Sequence, residues 1–298
     1  MTAPSMAPAG VVQRARRPLG WQAPGPRPAA PDAGLGPHAG EDLCYLAGEW
    51  RIFQRIAGHR WSLDDLVTAW VATASAAGRP PRRFVDLGCG IGTVLMLVAW
   101  RFSEASGLGV EAQPMSVDLA RRSLAWNGAA GRCAIRLGDF REVVAGLESA
   151  PADLVTGTPP YLTPGRATAP RRAQCGPCHF EERGGIEAYS DAAAALLAPG
   201  GRFVVCAAAF QDARALAAMA AAGLVADHAV RVIPRAGKAP LFRVYVARRA
   251  GDAAAPTRWA APAEIVVRDA AGRWTDAFAG VRTAMGMPAP GPRTADPV

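Results

Sequence analysis

Between residues 62 and 250 the apolar positions come in two alternating kinds of block: short continuous runs, and longer stretches spaced three and four apart. A continuous run suits a strand buried on both faces, and the wider spacing marks one face of a helix. Runs over 83–87, 107–111, 133–137, 153–156 and 202–208 read as strands, followed by two last ones over 225–233 and 241–248. Helices are expected over 93–102, 114–127, 140–147, 186–197 and 213–222. Upstream, Ser62 and Asp65 have the spacing of a capping box, and Leu63, Leu66, Val67, Trp70, Val71 and Ala74 follow at helical intervals until Pro80-Pro81. Strands alternating with helices predict an α/β fold: a doubly wound, mostly parallel sheet covered on both faces.

Outside that region the pattern weakens. Residues 1–40 are rich in Pro, Ala and Gly, with several Arg and one acid, and read as a disordered tail. Residues 41–81 are expected to form an N-terminal helical segment, and 82–250 the main domain. Residues 251–298 read as a linker to about 262, then a strand over 264–268, a turn at Ala271-Gly272 and a helix over 275–285. No apolar run approaches the ~20 residues that span a bilayer, and the first thirty residues show no secretory pattern. A cytoplasmic protein with six reduced cysteines is expected. The net charge of +8 rests almost wholly on arginine, with Lys238 the sole lysine, and fits either a polyanionic partner or a solvated basic surface.

The first strand of the main domain runs into Asp86-Leu87-Gly88-Cys89-Gly90-Ile91-Gly92 and then a helix. Glycines there admit a ligand close to the backbone. Their spacing departs from the G-x-G-x-x-G of nicotinamide sites, and a carboxylate at Asp86 suits a cationic amino-acid ligand better than a pyrophosphate. S-adenosylmethionine is the expected cofactor, because its ammonium and sulfonium are both positive. Glu111 ends the second strand, where an acid can accept ribose hydroxyls, and Asp139 ends the third, where it can meet the adenine amine or cap the next helix. Three acids at consecutive strand ends converge where open α/β sheets bind ligands.

Thr158-Pro159-Pro160-Tyr161 follows the fourth strand. Two prolines fix the backbone and leave carbonyls as acceptors. Such a loop can hold an NH2 group against the Pro159 carbonyl and the residue-158 side chain, with Tyr161 stacked on a planar acceptor.

From Glu41 onward the chain resembles the bacterial tRNA(Val) adenine N6-methyltransferases, within the class I S-adenosylmethionine-dependent methyltransferases. The resemblance rests on Gln54, Gly58 to Asp65, Asp86 to Gly92, Gly109-Val110-Glu111, Asn127, Gly138-Asp139 and Pro159-Pro160-Tyr161. Leu197 to Arg202, Pro234 to Lys238 and Glu264 to Asp269 extend it. It implies a seven-stranded sheet with its last strand antiparallel, an N-terminal segment whose 62–65 region, Asp65 included, caps the cofactor pocket, and methyl transfer to an exocyclic amine of RNA, adenine N6 of tRNA above all. Thr158 stands where that family carries Asn or Asp. A threonine keeps an acceptor lone pair on a shorter arm. Protein glutamine methylation, and a non-catalytic RNA-binding scaffold that keeps the fold, are the alternatives. Arg166, Arg171 and Arg172 lie just after the acceptor motif and could grip phosphates. Cys175-Gly176-Pro177-Cys178-His179 has haem-attachment spacing, but with no export signal and no second cysteine pair nearby no metal site is expected.

Overall fold

The computed structural model describes residues 10–13, 17–28, 34–146, 150–161, 181–253 and 259–288. Arg166, Arg171, Arg172 and the Cys175–His179 motif lie outside them.

Strands β4 (Arg83–Leu87), β5 (Ser106–Glu111), β6 (Cys133–Leu137), β7 (Ala152–Gly157), β8 (Leu197–Ala208), β9 (Leu224–Ile233), β10 (Phe242–Arg249) and β11 (Glu264–Val266) form one sheet in the order β11-β9-β10-β8-β7-β4-β5-β6. Five neighbours, β6 to β8, run parallel, and β10 lies antiparallel between β8 and β9. The expected seven strands are all there; the eighth, β11, adds in parallel to the free edge of β9. An uncovered strand edge presents unpaired N–H and C=O groups, and β11 satisfies them.

Helices α1 (Leu63–Ser75), α2 (Thr93–Arg101) and α3 (Pro114–Trp126) follow the expected order, with α4 (Phe140–Val143), α5 (Ile186–Leu196), α6 (Asp212–Ala221) and α7 (Asp276–Ala284) after them. Two buried clusters flank the sheet. One gathers Leu66, Val71, Leu95, Leu97 and Leu124; the other gathers Ile186, Tyr189, Leu196 and Met219. Val85 and Leu87 point to one side and Phe84 to the other, all fully buried, which is why β4 carries no polar alternation. Among the described residues no helix is long and apolar enough to cross a membrane.

The helical reading of 41–81 holds only from Leu63. Residues 41–55 form a hairpin, β2 (Glu41–Ala47) and β3 (Trp50–Arg55), turning at Gly48 with φ +51°. Its apolar residues Leu43, Ile52 and Phe53 are fully buried. The outer edge of β3 is closed by side chains of α3 and its C-cap. Asn127 Oδ1 accepts from Arg51 N at 2.8 Å, Asn127 Nδ2 donates to Arg51 O at 2.7 Å, and Ser123 Oγ accepts from Phe53 N at 2.9 Å. A two-strand hairpin gains stability from such packing. The disorder expected of 1–40 is likewise too broad. A short β1 (Val11–Val12) pairs parallel with β2, Arg17 makes a bidentate pair with Glu49 at 2.7 and 2.8 Å, and Gly25 abuts the Trp100 ring. Lacking a core of its own, this stretch lies on surfaces the hairpin and α2 supply.

Candidate active site

Register places the site. Leu87 is partnered by Gly157 on one side and Val110 on the other, and Glu111 by Leu137. The residues that follow these strands therefore emerge side by side at the carboxyl edge: the glycine loop, Glu111, Asp139 and Thr158. They line one cavity of about 670 Å³, roofed by His59 and Ser62 to Asp65 from the start of α1. Its size lies in the ~300–1,000 Å³ range of small-molecule sites.

The glycine loop is shaped by backbone geometry. Gly88, Gly90 and Gly92 have φ of +58°, +55° and +85°, a region L-residues avoid. A Cβ on Gly88 would lie 2.2 Å from the hydroxyl oxygen of Tyr189, whereas one on Gly90 would meet nothing within 4 Å. So Gly88 makes room for a protein side chain, and Gly90 keeps a stretch of cavity wall open. Gly92 caps α2 and lies off the cavity.

The acids do not share one role. Glu111 lines the cavity while accepting from Gly90 N at 2.9 Å and Gln113 N at 2.7 Å, and burial raises its pKa despite those bonds. Asp139 caps α4, accepting from Arg141 N at 3.0 Å, and also lines the cavity. Its pair with Arg141 at 2.6 Å lowers its pKa. Asp65 completes the capping box by accepting from Ser62 N at 3.0 Å, and it too lines the cavity. Burial, reinforced by Asp64, pushes its pKa well up.

Asp86 departs from expectation. It is not part of the cavity lining. One oxygen accepts from Thr156 Oγ1 at 2.7 Å on β7 and the other from Leu95 N at 3.1 Å in the first turn of α2. It fastens two strands and a helix behind the loop. Burial raises its pKa to about 7, against the lowering by Thr156 and Leu95.

That shift sets a pH dependence. The unfolded carboxyl titrates near 3.9, so between about 4 and about 7 the folded state binds more protons than the unfolded one, and this group's contribution to stability falls as pH rises through that window. The melting midpoint of ligand-free protein should fall between about pH 4.5 and 7, and Asp86→Asn should make that slope shallower, the raised carboxyls of Asp65 and Glu111 supplying the remainder. An equally steep slope in the variant would assign the effect elsewhere. The lowered carboxyls, Glu41 and Glu187 among them, act below this window.

Thr158, Pro159, Pro160 and Tyr161 form the wall beside the glycine loop. Tyr161 is held at its hydroxyl, 3.3 Å from Asp64 Oδ2 and 3.0 Å from Cys206 Sγ, and at its carbonyl, which accepts from Gln211 Nε2 at 3.1 Å. Burial drives its phenol pKa well up, so it remains a donor to Asp64. Several lining residues had escaped sequence reasoning: Tyr189, Arg183, Phe210 and Leu241. Phe210 is 76 % exposed and Leu241 54 %, an apolar rim beside the Thr-Pro-Pro-Tyr loop. Nothing local marks Tyr189, whose partners Gly88 and Gly157 lie far off in sequence; an aromatic after the strand at 202–208 was a usable signal for Phe210.

The donor set fits a cationic ligand. Asp64, Asp65, Glu111 and Asp139 line the cavity, against Arg183 and His59. Among the described residues no group of acids, cysteines and histidines could hold a metal.

Comparison with known proteins agrees with this geometry. Residues 66–174 match the methyltransferase small domain. That stretch holds the glycine loop and strands β4 to β7. The chain is 32 % identical over 175 residues to a release factor glutamine methyltransferase of Rhodospirillum rubrum, covering 51 % of this chain and 52 % of that protein. It is also 32 % identical over 144 residues to a tRNA1(Val) (adenine(37)-N6)-methyltransferase of Porphyromonas gingivalis, covering 47 % and 54 %. The chain thus spans about half the length of the curated relatives it matches. A crystal structure of a predicted O-methyltransferase from Agrobacterium tumefaciens shares the fold, with a TM-score of 0.54 and 21 % identity over 76 % of this chain and 98 % of that one.

Proposed function

We propose that the protein binds S-adenosylmethionine in this cavity and methylates an exocyclic amine of RNA, with adenine N6 of tRNA as the acceptor. One observation carries the reading: the pairing of Leu87 with Gly157 sets the Thr-Pro-Pro-Tyr loop directly beside the glycine loop, in a single cavity. When bound, S-adenosylmethionine would supply a methyl group on a positive sulfur: the amine lone pair would take the methyl carbon as the C–S bond breaks, leaving a neutral thioether and releasing one N–H proton to water. The protein's work is then placement.

Glu111 and Asp139 would hold the ribose and adenine of the cofactor, and Asp65, with the backbone of Gly88 and Gly90, its cationic amino-acid end. The Pro159 carbonyl and Thr158 hydroxyl accept the two amine hydrogens, which aims the nitrogen lone pair at the methyl. Orientation of this kind is worth ~7–11 kcal/mol at best. Tyr161 closes the acceptor wall. Phe210 at the mouth offers an aromatic face to a planar base, an interaction worth ~1–3 kcal/mol.

A glutamine side-chain amide also presents an NH2 group, and the likeness to the Rhodospirillum rubrum enzyme favours that second reading. The two separate in one assay. Purified protein is given methyl-labelled donor with unfractionated bacterial tRNA in one reaction and a release factor in another, followed by mass spectrometry of nucleosides and peptides. N6-methyladenosine in the tRNA is the expected product. Label on glutamine, or no transfer to RNA despite bound cofactor, would overturn the RNA assignment.

A further inference from the structure

We infer that two basic turns at the carboxyl edge of the sheet form the surface that receives the phosphate backbone of the RNA substrate; this rests on the RNA reading above.

The first turn, residues 234–240, leaves the end of β9; the second, residues 268–273, follows β11. Both strands run parallel to the cofactor-bearing strands, since β9 and β8 are each antiparallel to β10 and β11 is parallel to β9. Both turns therefore emerge at the edge where the cavity opens. They touch: Ala236 N donates to Arg268 O at 2.8 Å, and Arg235 Nη2 donates to Ala270 O at 2.5 Å. The first continues directly into Pro240 and Leu241, which line the cavity.

The two turns carry Arg235, Lys238, Arg268 and Arg273 against a single acid, Asp269. All four cations are exposed. Asp269 engages Arg273 at 2.8 Å, and among the described residues no ion pair holds Arg235, Lys238 or Arg268. Two of these arms are set in place by backbone carbonyls: Arg235 by Ala270, and Arg268 by Gly272, to which Nη1 donates at 2.7 Å. Guanidinium groups fixed at one end and open at the other lose little side-chain entropy on meeting a phosphate.

The order of chemistry toward the cavity is then cationic turns, apolar rim at Leu241 and Phe210, and amine-holding loop. That sequence matches a nucleotide entering base first with its phosphates left outside. An acidic protein surface would use the cations but leave the exposed aromatic rim without a planar partner.

The test compares the wild type with Arg235→Gln/Lys238→Ala in the full chain. Binding of unfractionated bacterial tRNA is followed by fluorescence anisotropy between about 50 and 300 mM salt, the range where phosphate neutralisation dominates affinity. Calorimetry with S-adenosylmethionine and the melting midpoint serve as controls on cofactor site and fold. The double variant should bind tRNA about 5- to 20-fold more weakly at low salt, with the log–log salt slope reduced by roughly one to two, about one for each phosphate no longer neutralised. Its cofactor affinity should be unchanged. Equal tRNA affinity and slope in both proteins, while the wild type still methylates RNA, would overturn the surface and leave the RNA reading standing. A wild type that neither binds nor methylates tRNA overturns both. If the variant instead loses only methylation of a release factor, the partner is an acidic protein and the inference fails.

Discussion

Replacing Gly90 with alanine should cost the cofactor far more than it costs the fold. The backbone sits at φ +55°, but the new methyl would meet no protein atom within 4 Å. The fold then loses only the strain of the left-handed region, ~1–2 kcal/mol, a drop of a few degrees in melting midpoint. The methyl would occupy cavity space needed for close approach, and the affinity for S-adenosylmethionine should fall about 50-fold or more, roughly 2.3 kcal/mol or above. Gly88→Ala should invert the balance. At nearly the same φ, its Cβ would lie 2.2 Å from the hydroxyl oxygen of Tyr189, a side chain that is itself buried, so stability should fall by about 3 kcal/mol or more. Tyr189→Phe in the same chain should recover part of that loss by removing the atom in collision. Calorimetric binding and thermal melts on the three variants check both halves. Parallel losses of affinity and stability at the two glycines would refute the distinction.

The second large effect is expected at Tyr161. Its ring forms the acceptor wall and its hydroxyl is anchored to Asp64 and Cys206. Tyr161→Ala removes wall and anchor together. In single-turnover assays with tRNA its methyl-transfer rate should fall about 100-fold, the scale of a ~1 Å misplacement of reacting groups. Tyr161→Phe keeps the wall and should lose about 3- to 10-fold, since one hydrogen bond whose acceptor can turn to water is worth ~0.5–1.5 kcal/mol net. A phenylalanine variant as slow as the alanine one would mean that the hydroxyl acts on the substrate itself, not through the loop.

What could be read from the chain alone was whatever strand-end position decides. Gly88, Gly90, Glu111, Asp139 and Thr158 to Tyr161 follow strands whose direction the βα alternation fixes, so their convergence followed from topology. Asp86 looked the same and was not, because its lone pairs are taken by Thr156, on a strand far along the chain, and by an amide of the helix it precedes. No local pattern records that. The hairpin at 41–55 was hidden for a related reason: its outer edge is satisfied by Asn127 and Ser123, so its signal as a strand is divided between two distant segments. The motif residue Asn127 therefore has a structural role that its position in sequence did not disclose. Tyr189 was illegible because the space it fills is made by two glycines in other elements.

The direct pairing of β4 with β7 also bears on how such proteins diversify. The glycine loop and the Thr-Pro-Pro-Tyr loop leave adjacent strands, so the sheet's own spacing of about 4.8 Å sets their separation. On the reading proposed above, the choice among amine-bearing substrates would rest on the rim at Phe210 and Leu241 and the turns beyond it. A lineage can therefore exchange one acceptor for another by altering exposed residues, while the part that fixes reaction geometry is inherited unchanged.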